Sequence, residues 1–187
     1  MYPASERPGF GRELWTAART AFITIAVCGL LYPAFIWAIG QTLTPHAANG
    51  SLLRNAAGEV IGSALIAQGF SRPEYFWPRP SAVEYNAAGS GGSNLSPTSP
   101  ELRHKAEAEI ARFSADARHP LPLDLAAASG SGLDPQISLS SAVYQAERVA
   151  KARHWPVSKV IDLLKEQQRG GLINVLLLNL ALDTPGR

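Results

Sequence analysis

A long uncharged stretch near the start constrains this chain more than any other feature. Between Thr20 and Leu53 there is no Asp, Glu, Lys or Arg, and residues 21–43 are strongly apolar. A helix of that length crosses about 30 Å of hydrocarbon. A secretory signal peptide is the competing interpretation, but its apolar core is usually about 7–15 residues long, and no clean A-x-A site follows here. The stretch therefore predicts an uncleaved membrane-spanning helix over residues 20–43.

Pro33 lies in the middle of this predicted span, directly after Tyr32. A proline there removes one main-chain donor, and we expect it to kink the helix. Neighbouring helices compensate for such defects in membranes. The sequence therefore favours membrane-embedded partners for this chain.

Basic residues flank the predicted span unequally. Arg7, Arg12 and Arg19 precede it, whereas the first Lys or Arg after it is Arg54. Because cytoplasmic flanks carry the excess of Lys and Arg, residues 1–19 are expected to form a cytoplasmic tail. Residues 44–187 are then expected to form one soluble domain outside the cytoplasm, in the periplasm where the cell has two membranes.

Composition excludes several classes of function. The formal net charge is only +2, so no basic face for nucleic acid is indicated. The one cysteine, Cys28, lies in the apolar stretch and cannot form a disulfide within the chain. The four histidines have no metal-ligand spacing, so we predict no metal site.

The rest of the sequence alternates short strand and helix signals. Residues 51–66 read as a hairpin around Asn55–Gly58, and residues 70–97 read as a long irregular loop. A capping box at Thr98–Glu101 predicts a charged helix to about residue 117, and residues 121–128 read as a strand.

The last third of the chain is predicted to be mainly helical. Ser138 is expected to cap a helix whose inward stripe runs from Leu139 through Val143 to Ala150, with Ala142, Ala146 and Val149 between. A second helix from Pro156 is expected to bury Val157, Val160, Ile161 and Leu164 and to close at Gly170-Gly171. Residues 172–182 are expected to lie in the core. Their secondary structure is predicted to be a strand, a helix, or one of these passing into the other. The predicted fold class is α+β: one N-terminal transmembrane helix and one soluble mixed domain.

No catalytic motif of a familiar class occurs in the sequence, so an enzyme is not predicted. Two Ser/Gly turns, at 89–94 and 129–132, each precede a helix, where main-chain N–H groups can meet an anion. The favoured interpretation is that these glycine turns serve chain geometry alone.

The segment 75–81 places Tyr75, Phe76 and Trp77 beside Arg79. Part of this segment is expected to lie in the core, and any exposed remainder would form a docking patch. Gln145 lies at the flank of the apolar stripe, with a structural role favoured over a ligand contact.

Taken in order, these segments resemble the C subunit of the Kdp potassium-transporting P-type ATPase over almost the whole chain. Each of these segments is a weak signature alone, but their order along the chain is specific. The resemblance rests on Tyr32-Pro33, 49–51, 62–63, 65–70, 75–76, 79–82, 90–95, 129–135, Gln145, 148–153 and 174–183.

The resemblance implies a small non-catalytic accessory subunit with no cofactor of its own. Its partners would be a channel-like potassium-binding subunit, an ATP-hydrolysing pump subunit and membrane lipid. The family is also described as a catalytic chaperone that raises the pump subunit's affinity for ATP. That role would make Gln145 and the stretch Ser90, Gly91, Gly92 and Ser93 candidate nucleotide contacts.

Three hypotheses follow from these observations. The arginine asymmetry favours a subunit of the plasma (inner) membrane whose outer domain stabilises the complex and caps its potassium entry side. A nucleotide-assisting module would instead need a cytoplasmic domain, since ATP is abundant only there. A membrane-anchored hydrolase has no nucleophile-base motif behind it.

Overall fold

The computed structural model describes residues 9–55 and 57–184. These residues divide into two compact units, with the boundary between Gly50 and Ser51. The predicted fold class is confirmed: one N-terminal apolar helix is followed by a mixed unit of helices and short strands.

The N-terminal unit is a continuous helix over Phe10–Leu43, followed by the one-turn helix α3 (Pro45–Ala48). The long helix consists of α1 (Phe10–Ile25), a π-helical segment (Ala26–Leu31) and α2 (Tyr32–Leu43). Among the described residues it is the one helix long and apolar enough to cross a membrane. It begins before the predicted span, and the domain boundaries at residues 19 and 43 stay predictions. Arg7 and the rest of residues 1–8 lie outside the described residues.

The second unit begins with the predicted hairpin. Strands β1 (Leu52–Arg54) and β2 (Val60–Ser63) pair antiparallel, with Leu52 opposite Ser63 and a bulge after Leu53. In the turn, the Asn55 side-chain oxygen accepts the N–H of Glu59 at 2.9 Å. Ala56 lies outside the described residues.

Residues 70–97 contain no helix or strand, as predicted, and lead into α4 (Pro100–Arg112). The predicted capping box is wrong: Ser99 occupies the cap position and makes no side-chain bond there. The helix also ends before residue 117, because Ser114 adopts a left-handed conformation (φ 53°) that an α-helix cannot continue through.

The predicted strand at 121–128 is also wrong, since its centre forms the one-turn helix α5 (Leu123–Ala126). Asp124 explains the difference. Its carboxylate accepts the Ser138 N–H at 2.8 Å and the hydroxyl of Ser141, which ties the segment to the start of the next helix.

The core surrounds α6 (Leu139–Arg153), which follows strand β3 (Gln136–Ser138). The predicted cap is confirmed, because the Ser138 hydroxyl accepts the Ser141 N–H at 3.1 Å. Ala142, Ala146, Val149 and Ala150 are buried as predicted, whereas Val143 is exposed. The buried face includes Gln145 and so turns away from Val143.

Helix α7 (Val157–Gln167) packs against α6 and buries Val160 and Leu164, while Val157 remains exposed. It ends three residues before Gly170-Gly171, whose positive φ angles turn the chain into β4 (Leu172–Asn174). Strand β4 pairs antiparallel with β3 and passes directly into α8 (Val175–Asp183). The run 172–182 is therefore strand followed by helix, and the Asn174 side chain caps that helix by accepting the Leu177 N–H at 3.1 Å.

Candidate functional site

The loop between β2 and α4 enters the centre of the second unit at Phe76 and Trp77. Phe76 is 0% exposed and belongs to the main hydrophobic core, and Trp77 is buried beside it. Buried main-chain polar groups need partners, and an irregular loop has no neighbouring strand to supply them. The partners come instead from two side-chain amides on helices.

Gln145 of α6 bonds Trp77 in both directions. Its Oε1 accepts the Trp77 N–H at 2.8 Å, and its Nε2 donates to the Trp77 carbonyl at 3.1 Å. The remaining capacity is also used, since Oε1 accepts from Arg148 at 2.8 Å and Nε2 reaches the Ser141 carbonyl at 3.4 Å. The amide is thus fully satisfied and 1% exposed.

Asn179 of α8 forms the same kind of hydrogen-bond pair with Phe76, the residue before Trp77. Its Oδ1 accepts the Phe76 N–H at 2.8 Å, and its Nδ2 donates to the Phe76 carbonyl at 3.0 Å. In an extended chain the polar groups of successive residues point to opposite sides. The two amides therefore do for this loop what two flanking strands do inside a sheet.

Two guanidinium groups pack against the Trp77 indole. Arg148 is 3.9 Å and Arg112 is 4.2 Å from the ring centroid, and Phe113 meets the ring at its edge. Arg148 also donates to the carbonyls of Pro73 and Tyr75, at 2.6 and 3.0 Å. Burial, followed by the nearby positive charge of Arg112, lowers the pKa of Arg148 to about 10. The stack ties the loop to α4 and α6.

A second set of contacts fastens the end of the chain to the same loop. The Tyr75 hydroxyl donates to Asp183 at 2.7 Å, and Arg153 bonds the other oxygen of that carboxylate at 2.7 Å. The hydrogen bond to Asp183, with burial, raises the pKa of the Tyr75 phenol. An open polar cleft lies here, lined by Arg72, Pro73, Glu74, Tyr75, Ala152, Arg153 and Asp183.

The two Ser/Gly turns pack against each other. The Gly91 N–H and the Ser90 hydroxyl both donate to the Ser131 carbonyl, at 2.8 and 3.0 Å. A Cβ added to Gly92 would lie 2.9 Å from the Gly130 carbonyl oxygen. At Gly132, where φ is +68°, a Cβ would lie 2.6 Å from Val83. The nearby Gly130 main chain thus accounts for glycine at position 92, and the positive φ together with the nearby Val83 side chain and Gly91 carbonyl accounts for it at position 132.

The residues predicted for nucleotide contact lie in separate hydrogen-bond networks. Gln145 belongs to the network of Trp77 and Arg148, whereas Ser90–Ser93 belong to the paired turns, and no hydrogen bond between described residues joins the two sets directly. Their assignment to a nucleotide stays a prediction. Among the predicted docking residues, Phe76 and Trp77 are interior, so only Tyr75 and Arg79 are partly exposed.

Sequence reasoning missed the role of Asn179. The available signal was an uncharged amide inside an otherwise apolar run, because a buried polar side chain requires a partner. Arg79 was identified, but its ion pair with Asp134, 3.1 Å long, connects two loops that the sequence does not relate. Its Nε is buried without an acceptor among the described residues.

These features define a class of protein: one candidate membrane span followed by an α+β unit whose central loop is held by side-chain amides. Residues 14–184 match the family model described as K+-transporting ATPase, c chain. Relatives named potassium-transporting ATPase KdpC subunit include one from Parvibaculum lavamentivorans, 51% identical over 173 residues, covering 88% of this chain and 92% of the relative. Another, from Myxococcus xanthus, is 46% identical over 181 residues, covering 90% and 86%.

The chain belongs to this family of C subunits of potassium-transporting ATPases. It is therefore an accessory subunit of the Kdp potassium uptake system.

Proposed function

We propose that this chain is a non-catalytic subunit of the inner membrane whose second unit lies outside the cytoplasm. There it stabilises the assembled transporter and caps the potassium entry side of the channel-like subunit, while a separate pump subunit hydrolyses ATP. The observation that carries the proposal is the charge asymmetry of the long helix. Arg12 and Arg19 lie in its first ten residues, and no Lys or Arg follows until Arg54.

The environment of Gln145 supports a structural role in this subunit. Each hydrogen-bonding position of its amide already has a partner within the chain. A nucleotide contact would require the amide to leave Trp77 and expose buried main-chain groups, which is costly. The alternative function, a catalytic chaperone that binds ATP with the pump subunit, needs this rearrangement and a cytoplasmic second unit.

Protease treatment of sealed inner-membrane vesicles containing the whole complex tests the proposal. In vesicles with the cytoplasmic face outward, the second unit should be protected and should become cleavable only after detergent is added. In vesicles of the opposite orientation it should be cleaved directly. Cleavage from the cytoplasmic face alone would refute the capping role and favour the chaperone.

A further inference from the structure

Neither α-helical nor π-helical spacing supplies a free donor to the main-chain carbonyl of Cys28 in the long helix. In α-helical spacing, the donor for the Cys28 carbonyl would be the N–H of Tyr32, but that N–H reaches back five residues to Val27. In π-helical spacing the donor would be residue 33, and Pro33 has no N–H. The π-helical segment and the proline together therefore leave the Cys28 carbonyl without a donor in either spacing.

Side chains of the same helix do not compensate at this position. The side-chain hydrogen bonds to carbonyls within the described part of this unit come from Thr16, Thr42, Thr44 and Asn49, near its two ends. Cys28 lies about 11 Å along the helix from Ala21, well inside the apolar stretch. Hydrocarbon offers no donor there, and an open carbonyl is costly in such surroundings.

The residue after Cys28 leaves room for the close approach of another helix. The next residue, Gly29, has no side chain, and a Cβ placed on it would meet only the Ile25 side chain, at 3.8 Å. Small residues let helix backbones approach closely in membranes, where side chains then donate across the interface. The Cys28 carbonyl and the room at Gly29 thus belong to neighbouring residues of the same helical turn.

We propose that a transmembrane helix of a partner subunit packs at Gly29–Pro33 and donates a side-chain hydrogen bond to the Cys28 carbonyl. The inference rests on the proposed function, because it requires the helix to span the membrane within the transporter. A protein partner fits the chemistry because lipid chains carry no donor. Membership in a family of ATPase subunits places other membrane-embedded helices nearby.

The single cysteine makes a direct test possible. Cysteine carrying carbon-13 at its carbonyl labels one main-chain position in the whole chain, and the amide I frequency of that carbonyl falls when it accepts a hydrogen bond. The labelled full chain is measured by infrared spectroscopy in lipid bilayers, alone and after assembly with unlabelled partner subunits. We expect the high frequency of an open carbonyl in the chain alone and a shift to lower frequency on assembly.

Two variants sharpen the test. Pro33→Ala restores the missing N–H, so the labelled band should already be low in the chain alone, should not shift on assembly, and should accompany about threefold weaker association with the partners. Ile39→Ala, in the same span, leaves the ladder unchanged and should retain the full frequency shift.

Several outcomes would overturn the proposal: a low frequency in the unassembled wild-type chain, a high frequency in both states, or a shift that follows the chain-to-lipid ratio, which would assign the contact to a second copy. Polarised spectra distinguish failure of this contact from failure of the proposed function. A helix that is not oriented across the bilayer would refute the anchored subunit itself.

Discussion

The side-chain amide of Gln145 and the main chain of Trp77 form a reciprocal pair of hydrogen bonds, 2.8 and 3.1 Å long, inside the core. The pair fixes the irregular loop of residues 70–97 at its buried centre. Asn179 forms the matching pair with Phe76 on the other side. Together the two amides replace a sheet that this small unit does not contain at this position.

Gln145→Ala should destabilise the full chain in detergent by about 3 kcal/mol, because it leaves the two buried main-chain groups of Trp77 without partners. Thermal unfolding followed by circular dichroism measures the effect. Asn179→Ala is the matched variant and should cost a similar amount for the same reason. A loss below about 1 kcal/mol for Gln145→Ala would show that the pair contributes little.

The same two variants also separate structure from nucleotide contact. If Gln145 acts only through the loop, both variants should change the ATP dependence of the assembled ATPase to the same extent. The measurement is the apparent ATP affinity of each variant complex. A weakened affinity with Gln145→Ala that Asn179→Ala does not reproduce would establish a direct role for Gln145 with nucleotide.

Asp124 should make the second unit sensitive to acid. Burial acts to raise the pKa of its carboxyl, but hydrogen bonds from Ser141 and Ser138 outweigh burial, and the pKa lies below its ordinary value. The ionised form therefore stabilises the fold above about pH 4, and this contribution is lost as pH falls through the lower folded pKa.

Asp124→Asn should accordingly be less stable than wild type at pH 7, and the difference should shrink below about pH 4. Unfolding midpoints measured from pH 3 to 7 report this. Asp162→Asn, which removes an exposed carboxylate paired with Lys165, serves as the control and should follow the wild-type profile. A constant difference between Asp124→Asn and wild type across the range would contradict the assignment.

The packing of the two turns predicts different changes in stability when Gly130 and Gly132 are replaced by alanine. Gly132→Ala should destabilise the chain by about 2–4 kcal/mol, since the new Cβ meets Val83 and the Gly91 carbonyl at a positive φ. Gly130→Ala meets nothing within 4 Å and should change stability by less than about 0.5 kcal/mol. Chemical unfolding of both variants in detergent compares them, and equal losses would mean that the turns do not pack closely.

Local signals predicted those parts of the fold that local physics determines. Ser138 caps α6 as its sequence position indicated, and the hairpin forms at the expected turn. The segment 121–128 was misassigned because Asp124 interacts with residues 14 and 17 positions later, a contact that strand-like composition does not reveal. The spacing of Val143 places it in an apolar stripe. The buried face of α6 is instead the one that carries Gln145, which bonds Trp77.

The centre of the candidate site was only partly predictable for the same reason. Gln145 stands 68 residues from Trp77, and Asn179 stands 103 residues from Phe76. Neither helical nor strand periodicity relates an amide on a helix to an irregular loop at such distances. The sequence singles out the loop and Gln145, whereas the hydrogen bonds between them depend on the tertiary fold.

The location of the second unit is the central claim, and a pair of reporters fused to the C-terminus measures it most directly. Alkaline phosphatase is active only outside the cytoplasm, whereas green fluorescent protein exported through the general secretion pathway does not become fluorescent there. The account predicts high phosphatase activity and no fluorescence when the fusions are expressed with the partner subunits. Fluorescence without phosphatase activity would place the unit in the cytoplasm and contradict the account.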